Sequence, residues 1–253
     1  MTLSQTQDVA KYYQSTLVAD EYIQKRFSDP LNQVEHQRQV EILNKIILQY
    51  KVKDVLEFAP GPARVTAELE VEEGISIDSS SQMLALARAR MQQRGKRWNF
   101  QEGDVFNLRV NRTFDLVFCF RFLLHFQAKD RKRIYEQSKK VLRPGGLLVC
   151  EVMNTRIIHP LRMLLGKKRY LLHDQLYTQR EFQKEMEEQG FRVLRMYPVL
   201  NHFWLQAALS RPLLFLGLKG AARSLVFEGE QWISSQPYEW VAVCQKLGRR
   251  GEG

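Results

Sequence analysis

The chain has 253 residues, 44% of them hydrophobic and 26% charged, which suits one large globular domain or two small ones. Its net charge of +10 admits nucleic acid, a membrane surface or anionic substrates as partners, beside plain solubility. Cys119, Cys150 and Cys244 are far apart in strand-like runs and form no CxxC, so they read as buried free thiols in a reducing, cytoplasmic compartment. Residues 1–16 are polar, unlike a secretory signal. The run nearest to a membrane span, "FWLQAALSRPLLFLGL" at 203–218, is broken by Arg211 and Pro212.

Residues 8–50 read as helices, with Val34, Val40, Leu43, Ile46 and Ile47 near one face at helical spacing. Short apolar runs then alternate with helices. "KDVLEFA" is a strand, "ARVTAELEV" a helix closed before Gly74, "GISID" a strand. "SSQMLALARARMQQRG" is a helix with serines at its start and Gly95 past its end. "WNFQEGD" is a strand with a turn, and "FDLVFCF" is a buried strand. "KDRKRIYEQSKKVL" is a helix stopped by "RPGG", and "LLVCEVM" is the next strand. After residue 153 the pattern loosens. "TQREFQKEMEEQGF" is a helix capped by Thr178 and ended at Gly190, while "RVLRMYPVL" and "EWVAVCQKL" are two more strands. Segments 154–178 and 201–236 stand out as substrate-side insertions, the first with a basic patch over 156–180, the second rich in Leu, Phe and Trp. The "GRRGEG" tail is expected to fray. Strands alternating with helices imply right-handed crossovers and a parallel, doubly wound α/β sheet.

In such a sheet, ligands bind beyond the carboxyl ends of the strands, where the strand order switches. The first strand-to-helix turn is "EFAPGPAR". Ala59, Gly61 and Ala63 keep it thin, Pro60 and Pro62 stiffen it, and the helix expected after it would offer free N–H groups. A dinucleotide fingerprint needs small residues at its first, third and sixth positions. Ala59, Gly61 and Arg64 stand there, and Arg64 is too large. Glu57, just before the turn, suits a cationic ligand better than a pyrophosphate. Asp78 ends the second strand, twenty-one residues after Glu57, where a carboxylate can accept both hydroxyls of a ribose. Asp104 follows the third strand, within reach of an exocyclic adenine amine. Each acid alone is more often a cap or turn residue; three at successive strand ends ring one cleft.

"VLEFAPGPAR", "SIDSSSQML", "EGDVFNL", "FDLVFCF" and "VLRPGGLLVCEV" resemble, in order and spacing, the motifs of class I S-adenosylmethionine-dependent methyltransferases over about residues 50–153. The resemblance implies a Rossmann-like, seven-stranded, mostly parallel sheet whose last strand runs antiparallel. It implies S-adenosylmethionine as cofactor, with Glu57, Ala59, Pro60 and Gly61 along the methionine part. Asp78 would hold the ribose beside Ser79, Met83 would cover the adenine, Asp104 and Val105 would meet its edge, and the chain at Cys119 and Phe120 would face the amino group. The family turn usually carries glycine where this chain has Ala59 and Ala63. In this family an N-terminal segment such as residues 1–50, with Tyr12, Tyr13, Tyr22, Arg26 and Phe27, often closes as a lid; periodicity alone gives a packing helix pair. Residues 51–253 would form the methyltransferase domain.

A sulfonium methyl group is already electrophilic, so positioning supplies most of the acceleration, and a base is needed only if the acceptor loses a proton. His125 in "RFLLHF" is the candidate base, set against a packing histidine; Arg121 is a candidate for an acidic acceptor, set against a structural ion pair. His159, His173 and His202 read as surface or packing residues. No metal-ligand spacing occurs, so no metal is expected. The acceptor reads as a small molecule, apolar with an anionic group. "FCFR" stands where nucleobase methyltransferases resemble one another in "NPPY" or "DPPY". An RNA-modifying enzyme, drawn from the charge, is the alternative, and a cofactor-binding protein without catalysis is the third.

Overall fold

The computed structural model describes residues 28–165, 174–234 and 236–248. The expected lid residues Tyr12, Tyr13, Tyr22, Arg26 and Phe27 lie outside them, as do His173, residues 167–169 of the basic patch and residues 249–253 of the tail.

The first element among the described residues is helix α1 (Pro30–Gln49), started by Asp29, whose carboxylate accepts from Leu31 N–H, a side-chain cap for an otherwise orphaned donor. Strands β1 (Val55–Phe58), β2 (Glu73–Asp78) and β3 (Arg97–Glu102) follow, with α2 (Ser81–Gln93) between the last two. Then come β4 (Phe114–Cys119), α3 (Ala128–Val141), β5 (Leu142–Met153), α4 (Thr155–Leu165), α5 (Gln179–Glu188) and β6 (Phe191–Val199). Helices α6 (Phe203–Phe215) and α7 (Lys219–Glu228) form a hairpin before β7 (Glu239–Lys246). The seven strands lie in the order β3-β2-β1-β4-β5-β7-β6. Only β7 runs antiparallel, between β5 and β6. The order reverses between β1 and β4, the switch point at which a cleft opens.

Both faces of the sheet are covered, which is why β1 and β4 are almost continuously apolar. One core joins Leu56, Phe58, Phe114, Ile134, Tyr135 and Phe182. The other joins Val34, Leu43, Ile46, Leu116, Phe118 and Val241. Burying each such side chain fully contributes about 1.5–3 kcal/mol. The face expected on α1 is the buried one: Val34, Val40, Leu43, Ile46 and Ile47 all point inward. All three cysteines are buried and free.

Two local readings are corrected. No α-helix follows β1; residues 61–65 form turns and Thr66–Glu68 a single 3₁₀ turn. Ala59, Gly61 and Ala63 all take positive φ, between 51° and 54°, and a left-handed residue at 63 cannot continue a right-handed helix. The "RPGG" run does not sit outside the strand but inside β5, as a bulge facing Asp115, with Gly145 at φ 75°. Just after residue 153, where the pattern loosens, α4 forms over Thr155–Leu165, and Tyr177 pairs with Asn154 at the end of β5.

Candidate active site

The carboxyl ends of β1, β2, β3 and β4 open into a cavity of about 320 Å³. Glu57, Ala59, Pro60, Gly61, Asp78, Ser79, Met83, Asp104, Val105, Phe120, Arg121 and His125 all line it, so the topology brings together nearly every residue singled out from the sequence. Cys119 does not line it. Its side chain packs in the core and burial pushes its thiol well up, and only the neighbouring Phe120 reaches the cavity.

The β1 end is built around one buried carboxylate. Glu57 Oε2 accepts from the Thr66 hydroxyl at 2.5 Å and the Ser76 hydroxyl at 2.7 Å, and Ser76 in turn accepts from Trp98 Nε1 at 2.7 Å. Burial pushes Glu57 up to about 7, against the lowering effect of those two hydroxyls. Ionising this acid therefore costs free energy unless a cation arrives to stabilise its charged form. Asp78 closes the turn: its Oδ2 accepts from Gly61 N–H at 3.2 Å and its Oδ1 from Ser80 N–H at 2.9 Å. Burial raises Asp78 too, with the Ser80, Gly61 and Ser79 amides opposing. With no helix start after β1, the Gly61 amide is already committed to a carboxylate, which disfavours a phosphate there. Met83 is buried over the same end, where its N–H meets the Ser80 hydroxyl that caps α2. Asp104 is exposed and caps the turn at Val105–Asn107, accepting from Phe106 N–H at 2.9 Å.

Arg64, which ruled out a dinucleotide turn, is buried and turned towards α1. Its guanidinium donates to His36 Nδ1 at 2.7 Å and Gln39 Oε1 at 2.8 Å. With Nδ1 accepting, Nε2 of His36 carries the hydrogen and meets Glu68 Oε1 at 3.0 Å. Burial, then the Arg64 charge, lowers His36, against the raising effect of Glu68 and Glu35. Gln39 continues the network to Glu239 Oε1 at 2.7 Å. Glu239, Glu35 and Glu151 present carboxylate oxygens within 4.8 Å of one another, all buried. Burial, then Glu35 and Glu151, pushes Glu239 well up. No local pattern announces this cluster, whose members come from α1, β5 and β7.

The β4 side carries the chemistry-bearing groups. Arg121 sits at φ 56°, a costly conformation for a residue with a long side chain. Its Nε lies 3.9 Å from Glu151 Oε1 and its Nη1 meets Met153 Sδ at 3.5 Å. His125 closes a 3₁₀ turn after β4 and is buried. Its Nδ1 lies 3.0 Å from Asp174 Oδ1, and Arg162 of α4 holds the other oxygen of that acid. Burial alone would raise Asp174, but His125, Arg121 and Arg162 outweigh it and hold the carboxyl below its usual range. Asp174 was missed from sequence; beside it, Gln175 N–H is bonded to the Leu124 carbonyl at 2.6 Å, which sets Asp174 next to His125. Phe106, Phe120, Phe122 and Phe126 form the apolar wall beside them. His159 is exposed, and His202 bonds the Trp232 carbonyl at 2.9 Å; neither lines the cavity.

Residues 55–146 match the family model described as a methyltransferase domain. No curated protein sequence matches the chain. Among solved structures, the chain is similar to magnesium protoporphyrin IX methyltransferase (ChlM) from Synechocystis PCC 6803 with bound S-adenosylhomocysteine. The identity is 14% over 95% of this chain and 99% of that one, with a TM-score of 0.67. An S-adenosylmethionine-dependent methyltransferase from Clostridium acetobutylicum ATCC 824 is 13% identical, over 94% and 99% of the two chains, TM-score 0.62. The DhpI-SAM-HEP complex is 15% identical, over 96% and 99%, TM-score 0.63. At these identities the likeness is one of fold, and it extends beyond the matched domain to nearly the whole chain. Residues 55–146 thus match a methyltransferase domain, and the sheet with its single antiparallel strand and the cleft at the switch point give the chain the Rossmann-like fold of S-adenosylmethionine-dependent methyltransferases.

Proposed function

We propose that S-adenosylmethionine lies across the ends of β1 to β4 and methylates a small-molecule acceptor that is apolar and carries an anionic group. The observation that carries this reading is the division of the cavity into two chemically opposite halves. Glu57 and Asp78 make one end acidic, which suits a cationic sulfonium nucleoside. Arg121, His125 and four phenylalanines make the other end cationic and apolar.

In this arrangement Asp78 accepts the ribose hydroxyls, Met83 and Val105 bracket the adenine, and Asp104 takes its amine. Glu57, Ala59, Pro60 and Gly61 border the methionine part. The acceptor lies against the phenylalanine wall with its anion on Arg121. Its lone pair attacks the methyl carbon in line, the S–CH₃ bond breaks, and the electron pair stays on sulfur, leaving S-adenosylhomocysteine. Where the acceptor carries a proton, His125 takes it, and Asp174 stabilises the imidazolium that forms; Asp174 is thus a positioning residue. Positioning supplies up to about 7–11 kcal/mol of the barrier, and proton transfer adds about 10²–10⁴-fold.

We further propose that the N-terminal segment, residues 1–50, closes as a lid over the cofactor; buried free thiols suit a cytoplasmic setting. The net charge of +10 favours RNA as a second reading, but among the described residues the cavity is lined by only two cations, Arg64 and Arg121, and Arg64 is turned to α1. The test is incubation of the protein with methyl-labelled cofactor and cell extract, followed by mass spectrometry of the lipid, metabolite and RNA fractions. Label in an amphiphilic acid supports the proposal. Label confined to RNA, with binding that weakens steeply as salt rises, favours the second reading, and binding of cofactor without any transfer removes both.

A further inference from the structure

Helix α6 is inside-out. Its buried residues are Phe203, Gln206 and Ser210, two of the three polar. Trp204, Leu205, Leu209, Phe215 and Leu216 are exposed, Phe215 at 91%, and Leu218 continues the apolar surface into the turn before α7. A helix packed on a water-soluble domain has the opposite pattern. The inward polar groups are satisfied: the Gln206 amide donates to the Val226 carbonyl and Glu230 Oε1 at 2.8 and 2.7 Å, and the Ser210 hydroxyl to the Ala207 carbonyl at 3.3 Å. The inversion is therefore a built feature and not a packing fault. Until the last residue of α7, Glu228, the hairpin's charges are all basic. Residues 203–227 contain Arg211, Lys219 and Arg223 and no acid. Arg211 precedes Phe215 by four residues and Lys219 follows it by four, so cations flank the exposed tip. Lys219 has no partner among the described residues, while Arg211 lies 3.5 Å from Asp29 and Arg223 donates to Gln37.

We propose that the α6–α7 hairpin seats this protein on an anionic lipid surface, with α6 lying in the headgroup region. The helix has 13 residues, about 20 Å, too short to span a bilayer. No helix among the described residues is long and apolar enough to cross a membrane. A large exposed apolar face with basic residues beside it is the pattern of an interfacial helix. A second copy of the chain fits less well: a two-fold pairing of this surface would bring Arg211 and Lys219 towards their own copies, and the hairpin's one acid, Glu228 at the far end of α7, already accepts from Gln231. The placement also serves the site. The hairpin leaves β6 at its carboxyl end and returns at the start of β7, and β6 is parallel to β5. It thus rises from the same edge of the sheet as the cleft, where an apolar acceptor with an anionic group would partition. That last link rests on the proposed substrate; the lipid surface itself rests on α6.

The test is co-flotation of the full chain with vesicles of phosphatidylcholine, with and without phosphatidylserine. The wild type should float with the anionic vesicles and not with the neutral ones, and added salt should weaken the binding. The double variant Phe215→Glu, Leu216→Glu should lose at least about tenfold in vesicle affinity and Lys219→Glu about fivefold or more, following the contributions expected of buried apolar and basic groups at such a surface. Both variants should keep the wild-type melting temperature and affinity for S-adenosylhomocysteine, because the altered side chains are exposed. The proposal is overturned if the wild type does not float with anionic vesicles, or if the double variant floats unchanged. It is equally overturned if sedimentation shows a dimer that the double variant dissociates. Flotation needs no methyl transfer, so its failure leaves the cofactor reading intact, and the converse also holds.

Discussion

Asp78→Ala is the perturbation that bears most directly on the cofactor end of the cleft. In the free protein the carboxylate accepts from Gly61 and Ser80 N–H. Bound nucleoside would add two O–H donors from the ribose. Hydrogen bonds to a charged group contribute about 1.5–3 kcal/mol each, so losing both costs about 3–6 kcal/mol, or about 10²–10⁴ in Kd. Asp78→Asn keeps one acceptor oxygen and should fall between wild type and alanine. The stability of the free protein should drop by only about 1 kcal/mol for each amide left unmet at the cavity edge. Titration calorimetry with S-adenosylhomocysteine measures the first quantity and urea denaturation the second. An alanine variant that stays folded and binds within about threefold of wild type would refute the placement of the ribose.

Glu57, raised by burial to about 7 from an ordinary 4.5, binds its proton more tightly folded than unfolded. Its contribution to stability is therefore fully present below pH 4.5 and is lost as pH rises to about 7. Glu57→Gln should remove that part of the slope in denaturation measured across this window, and equal slopes in the two proteins would contradict it. Binding of the sulfonium cation should also release a proton from Glu57 near pH 6.5, seen as a binding enthalpy that depends on the buffer; a buffer-independent enthalpy would contradict the pairing. His125→Gln and Asp174→Asn should each lower turnover of a protic acceptor, His125→Gln by about 10²–10⁴-fold, with S-adenosylhomocysteine affinity unchanged; a loss of affinity instead would make both residues structural. Gly74→Ala would place a methyl 2.5 Å from the Trp98 ring, whose indole supports the Ser76–Glu57 chain. It should cost about 1–3 kcal/mol and lower Tm by several degrees, readable by calorimetric melting.

The strands were legible because buried parallel strands are continuous apolar runs, and "VLEF" and "FDLVFC" are little else. The Thr178 cap was legible because its partner is local: Glu181 completes a capping box three residues on. Asp78 and Glu57 could be placed because strand ends converge on the switch point whatever lies between them. The helix expected after β1 failed because residue spacing carries no sign of φ, and Ala63 takes a conformation that alanine rarely adopts. Helix α4 was obscured by Pro160 within it and by the basic residues around it. The pairing of Asp174 with His125, and the gathering of Glu35, Glu151 and Glu239, come from contacts far apart in the chain. No local pattern encodes them, because each depends on how a return segment or a neighbouring strand is aligned.

The central claim is that one cavity at the ends of β1 to β4 holds the cofactor, sugar on Asp78. A crystal structure of the protein soaked with S-adenosylhomocysteine tests it most directly. Density for the ribose hydroxyls within hydrogen-bond distance of the Asp78 carboxylate, the adenine beside Met83 and the sulfur facing the His125 side is the predicted result. Well-ordered ligand elsewhere on the protein, with this cavity filled only by solvent, would contradict the account.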